Sequence, residues 1–149
     1  MALSAMGLDV DATDAPDTIG HLENVVEANA AALKDNRPRV AALDWRNPDD
    51  ARRFVGAVDA VVASDVLICR QWAEALVDVL KIVAPEAPLV IVATQRRRDG
   101  VAVFLEKAAA FFRVTELGRD AFHPDFFHED LQLFRLHFRL ETLDASGRL

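Results

Sequence analysis

The stretch Val58-Asp59-Ala60-Val61-Val62-Ala63-Ser64-Asp65-Val66-Leu67-Ile68 constrains the fold more than any other part of the chain. From Ala60 to Ala63 it is an unbroken run of small and β-branched apolar residues. That is the composition of a strand covered on both faces, as in a parallel sheet with helices above and below. Polar residues return at Ser64 and Asp65, where the strand is expected to end. In open α/β sheets ligands lie beyond the carboxyl ends of the strands, which would put Asp65 on a crevice rim. The same position suits an aspartate that caps the next helix. Position alone supports both readings equally.

The rest of the chain punctuates in the same style. Met1 to Gly7 reads as one or two helical turns stopped by Gly7, and Leu8 to Thr13 as an alternating strand in which Asp11 faces solvent or a helix. A helix is expected from an N-cap at Asp17 to Lys34, with Ile19, Leu22, Val26 and Leu33 on one face. Arg39 to Trp45 reads as a strand, and Asn47-Pro48-Asp49-Asp50 as a turn into a short helix ending near Phe54. After the central strand, a helix over Arg70 to Val83 buries Trp72, Leu76, Val79, Leu80 and Val83. Pro85 and Pro88 bracket a turn before a second fully apolar strand, Leu89 to Ala93. A helix from Gly100 to Phe112 with Phe104, Ala108, Phe111 and Phe112 inward, and a strand from Arg113 to Leu117, come next. Phe134, Leu136, Phe138 and Leu140 then alternate with Arg135, His137 and Arg139, the mark of a half-exposed antiparallel strand near a sheet edge. The fold class is therefore α/β: a Rossmann-like, mostly parallel sheet with helices on both faces and a C-terminal antiparallel hairpin.

A chain of 149 residues, 52% apolar and 28% charged, suits one soluble domain over 1–149. A net charge of −7 argues against a general nucleic-acid or acidic-membrane binder. The single cysteine, Cys69, excludes an intramolecular disulfide and reads as a small buried apolar side chain in a reducing compartment. No apolar run has the length of a membrane span, so the expectation is a cytoplasmic protein.

Four groups carry candidate chemistry. Asp14, at a strand end before a helix, is placed either to accept both hydroxyls of a ribose or simply to shape the turn before Pro16. Asp44 and Trp45, at the next strand end, would take an adenine amino group and a purine face, or be core. His123, His128, Glu129 and Asp130 invite a metal reading, but with no second cluster they are expected to form a solvated loop without metal. Arg96-Arg97-Arg98 would meet an acidic partner or stand as surface charge. No P-loop, Cys-x-x-Cys or Ser–His–Asp arrangement occurs. The six glycines, at 7, 20, 56, 100, 118 and 147, form no glycine-rich turn after a strand.

Together, Thr13-Asp14-Ala15-Pro16, Asn24-Val25 with Ala28-Asn29, Leu43-Asp44-Trp45 and Ala63-Ser64-Asp65-Val66-Leu67 resemble the lysine-methyltransferase-like branch (methyltransferase family 16 type) of the seven-strand S-adenosylmethionine-dependent methyltransferases. Members carry TDxP, N(V/I)xxN, (L)xWG and (A/G)SD(V/I)(L/I)Y motifs in this order. The resemblance implies that Asp14 holds the donor's ribose, that Asp44 and Trp45 line its adenine, and that Asp65 stands at the substrate mouth near the transferable methyl. It implies S-adenosylmethionine as co-substrate and a protein lysine as acceptor. Two departures follow. The family's first strand and its glycine-rich turn would precede Met1, and that strand belongs at the sheet centre between those at 8–13 and 58–63. The family's aromatic after the Asp65 motif is Ile68 here, and the chain has no tyrosine. An inactive or incomplete methyltransferase is therefore expected, the alternative being a non-catalytic protein-interaction module that kept the sheet.

Overall fold

The first sheet is built by charge as much as by apolar pairing. A computed structural model describes residues 1–87 and 89–139, so Pro88 and Leu140 lie outside the described residues. These form two compact units, Met1–Asp50 and the chain from Ala51 onward. In the first, α1 (Ala2–Ala5) ends at Gly7, whose φ of +88° is the left-handed stop expected of it. β1 (Asp11–Asp14) follows, three residues later than the alternation suggested. The expected 17–34 helix is in fact two, α2 (Ile19–Ala28) and α3 (Ala30–Leu33). Asn29 makes the break, because its side-chain amide donates back to the Val25 carbonyl at 2.8 Å and competes with the helical ladder. The N-cap is Thr18, not Asp17, and its hydroxyl donates to the Ala15 carbonyl rather than capping α2. Val26 and Leu33 are buried, as the spacing predicts.

β2 (Arg39–Ala42) pairs with β1 in parallel, Asp11 opposite Arg39 and Asp14 opposite Ala42. Across that ladder the Arg39 guanidinium forks onto Asp11 at 2.7 and 3.1 Å and onto Asp9 at 2.7 Å. Asp11 is thus an ion-pair anchor, not a solvent-facing filler.

A 3₁₀ helix (Pro48–Phe54) leads to the second unit, where β3 (Ala60–Ser64), α4 (Arg70–Val83), β4 (Leu89–Gln95), α5 (Gly100–Ala109), β5 (Phe112–Glu116) and β6 (Leu131–Phe138) follow. Strand order is β3-β4-β6-β5, with β3–β4 parallel and both pairings of β6 antiparallel. β6 lies second from the sheet edge, and β5 is the edge. Phe104, Phe112, Phe134, Leu80 and Leu136 fill the core, each almost fully excluded from water. Phe112 meets Phe138 edge to face at 5.3 Å. α4 has the predicted limits, but Ala73 and Val77 join its buried stripe while Trp72 is only half-buried. α5 ends at Ala109, which leaves Phe111 half-buried under the Lys81 ammonium, 4.4 Å from its ring centre.

β3 departs furthest from expectation. Its sequence asks for cover on both faces, yet only Ala63 is buried and Val62 is 52% exposed. The physical reason is pairing. Among the described residues β3 has a ladder partner on one side only, and so does β1.

Candidate functional site

The turns at the strand ends place the candidate side chains. Leu43 N–H donates to the Asp14 carbonyl at 2.8 Å, which extends the β1–β2 ladder and sets Asp14 and Asp44 on neighbouring strand ends. Asp65 belongs to the other sheet, at the carboxyl end of β3.

Asp14 is exposed, and one of its oxygens accepts the Ala15 N–H at 2.8 Å. Its second oxygen has no protein donor among the described residues, so the carboxylate retains the acceptor capacity that a diol requires. Asp44 is differently committed. Arg46 donates to it from Nε at 2.8 Å, from Nη2 at 2.7 Å and from its backbone N–H at 3.0 Å. Those side-chain bonds, then the backbone one, hold the Asp44 carboxyl below the usual carboxylate range. Arg46 stands where the motif quoted above has glycine, and sequence reading missed its role. Trp45 is half-buried.

Asp65 sits in the left-handed region at φ +54°, which few non-glycine residues adopt but aspartate tolerates. It does not cap α4, whose N-cap is Cys69, a half-buried residue in extended conformation with no side-chain cap bond. Instead Arg98 grips both its oxygens, from Nε at 2.9 Å and from Nη2, and lowers its pKa. The other two arginines of the run are also paired within the chain, Arg96 with Glu116 at 3.1 Å and Arg97 with Asp130 at 2.7 Å. Each arginine of the run thus has a carboxylate partner within the chain, while Arg96 and Arg97 remain exposed surface charges. These partners lie 20 to 33 residues away in sequence, and it is the sheet order that brings them to the turn after β4.

His123 and His128 each accept the backbone N–H two residues on, at 3.3 and 3.1 Å, so both rings shape the loop. Among the described residues no three His, Cys, Asp or Glu side chains gather as a metal site requires. No helix among them is long and apolar enough to cross a membrane.

The model of one protein family, described as lysine methyltransferase, matches residues 1–111. The chain belongs to the lysine methyltransferase family. No curated protein matches it. Solved structures show the fold. The PH0226 protein from Pyrococcus horikoshii OT3 superposes with a TM-score of 0.62 at 13% identity, over 93% of this chain and 75% of that one. A TehB-like SAM-dependent methyltransferase from Corynebacterium glutamicum gives 0.54 at 16%, over 93% and 72%. A Methanococcus jannaschii fibrillarin pre-rRNA processing protein gives 0.56 at 18%, over 87% of this chain and only 56% of its own. The fold is thus the Rossmann-like α/β fold of S-adenosylmethionine-dependent methyltransferases.

The residues present fit that donor at one end. Asp14 has a free carboxylate oxygen at a strand end, as a ribose diol needs. At the amino-acid end, 1–149 supplies no glycine-rich turn to bring backbone N–H groups near the ligand.

Proposed function

We propose that the chain carries the ribose and acceptor sides of an S-adenosylmethionine-dependent protein-lysine N-methyltransferase, and that residues 1–149 by themselves do not transfer methyl. Membership of the lysine methyltransferase family, over 1–111, carries the reaction class. The absence of a glycine-rich turn from the sequence, with β1 and β3 each paired on one side only among the described residues, supports the second half. In this reading Asp14 accepts the ribose hydroxyls, Trp45 and Asp44 border the adenine, and Asp65 flanks the methyl acceptor. S-adenosylmethionine supplies the electrophilic methyl when bound. The chain's own residues orient the two reactants and keep water away, which matters more than a strong base when a neutral amine attacks. The net charge of −7 favours a protein acceptor over nucleic acid, and the single cysteine favours a reducing, cytoplasmic setting.

A second reading has its own support. Arg46 and Arg98 occupy two of the expected site carboxylates, and Ile68 replaces the expected aromatic while standing 51% exposed. These features suit a non-catalytic interaction module that retained the sheet.

Fusing the strand and glycine-rich turn of a family member ahead of Met1, then supplying labelled donor and protein substrates, separates the two. Label on lysine Nζ, lost in Asp14→Ala, is the expected result. Label on arginine or RNA would contradict the lysine assignment, and no label with a folded chimera would favour the interaction module.

A further inference from the structure

We propose that Arg98, backed by Gly100, is a positioning residue that fixes the Asp65–Cys69 turn and the direction of the Asp65 carboxylate. The assignment of that turn to the acceptor side rests on the methyltransferase reading. The clamp itself rests on three contacts. First, Arg98 presents two donors to the two Asp65 oxygens, a fork-to-carboxylate geometry that sets orientation as well as charge. A lysine there would supply the charge without the fork. Second, Gly100 N–H donates to the Leu67 carbonyl at 3.2 Å, and Leu67 is wholly buried, so the middle of the turn is tied at backbone and side chain. Third, Gly100 leaves no room for a side chain. A Cβ there would lie 2.7 Å from the carbonyl oxygens of both Leu67 and Cys69 and 3.1 Å from Ala73 Cβ.

The turn needs such support. Asp65 holds a left-handed backbone that costs more than an ordinary one even for aspartate, so contacts that hold it in place matter. Arg98 reaches it from the β4–α5 connection, 33 residues later in sequence. The result is a turn tied to β4 through the Asp65 N–H, to the β4–α5 connection through Arg98 and Gly100, and to α4 through the Cys69 carbonyl, with Ile68 exposed between Leu67 and Cys69. Carboxylate oxygens accept more than one hydrogen bond each, so Asp65 can hold Arg98 and still face an incoming amine.

The test is amide hydrogen exchange over 66–69 and a carbon-13 titration of the Asp65 carboxyl, on the full chain with no donor or acceptor present. A wrong reaction assignment therefore leaves its outcome untouched. Arg98→Gln should speed exchange in the turn by roughly fivefold, as befits a well-aligned but exposed pair, and move the Asp65 midpoint up toward the ordinary carboxylate value. Arg98→Lys should keep the midpoint low yet leave exchange fast, because charge survives and the fork does not. Arg97→Gln, which removes an equal charge next door, should change neither. If Arg98→Gln does not fold, Asp65→Asn should loosen the same four amides while β4 keeps its protection. Exchange in Arg98→Gln or Asp65→Asn equal to Arg97→Gln, or full restoration by lysine, would overturn the proposal.

Discussion

β3 and β4 are neighbours with the same kind of sequence and different surroundings. Ala60-Val61-Val62-Ala63 and Leu89-Val90-Ile91-Val92-Ala93 both read as strands made for burial on both faces. β4 has β3 on one side and β6 on the other, and Val90, Val92 and Thr94 are buried along it. Among the described residues β3 has β4 alone, and its central valine is half in water. Composition records the environment a strand is suited to, and ladder partners decide how much of it is realised. Natural edge strands are normally blunted by charge, proline or bulges. β3 carries none of these between Ala60 and Ala63.

The largest test of the comparison is a pair of truncations. Val92→Ala should cost about 2 kcal/mol, from lost burial and the cavity left behind, whereas Val62→Ala should stay within about 0.5 kcal/mol. Urea denaturation of the second unit's β-sheet signal would measure both. Equal costs would mean that β3 is covered as well as β4 is.

A smaller contrast concerns the two aspartates of β1. Asp11→Ala removes both fork bonds from Arg39 and should lower the thermal midpoint more than Asp14→Ala, which removes one bond to the Ala15 N–H. For donor binding by the fused, completed domain the order should reverse. Asp14→Ala weakens it and Asp11→Ala leaves it close to wild type, as paired calorimetric titrations would show. The same order in both measurements would break the assignment of Asp14 to the ribose.

What the sequence made legible follows from range. The limits of α4 and the existence, though not the limits, of the six strands among the described residues came from local periodicity and punctuation, which act over a few residues. The break at Asn29 was missed because a side-chain amide outcompeted an otherwise good helical pattern. The Arg98–Asp65 and Arg39–Asp11 pairs span 33 and 28 residues, and no local pattern encodes such partners. Asp14, Asp44 and Asp65 were legible as strand-end carboxylates. That Arg98 holds Asp65 was not, since composition shows a charge and only topology shows what it faces; Arg46, two residues from Asp44, was within local reach and was overlooked.

The most direct measurement of the central claim is a calorimetric titration of S-adenosylmethionine into residues 1–149, with thermal unfolding of the same sample. The lack of a glycine-rich turn in the sequence, with β1 and β3 each paired on one side only among the described residues, predicts no binding in the micromolar range and a broad, low transition. The edge of β3 stands largely in water, so the expected loss is of apolar cover over Val62 rather than of buried backbone pairing. Micromolar binding with a sharp cooperative transition would contradict it, and would mean that these residues form the donor site by themselves.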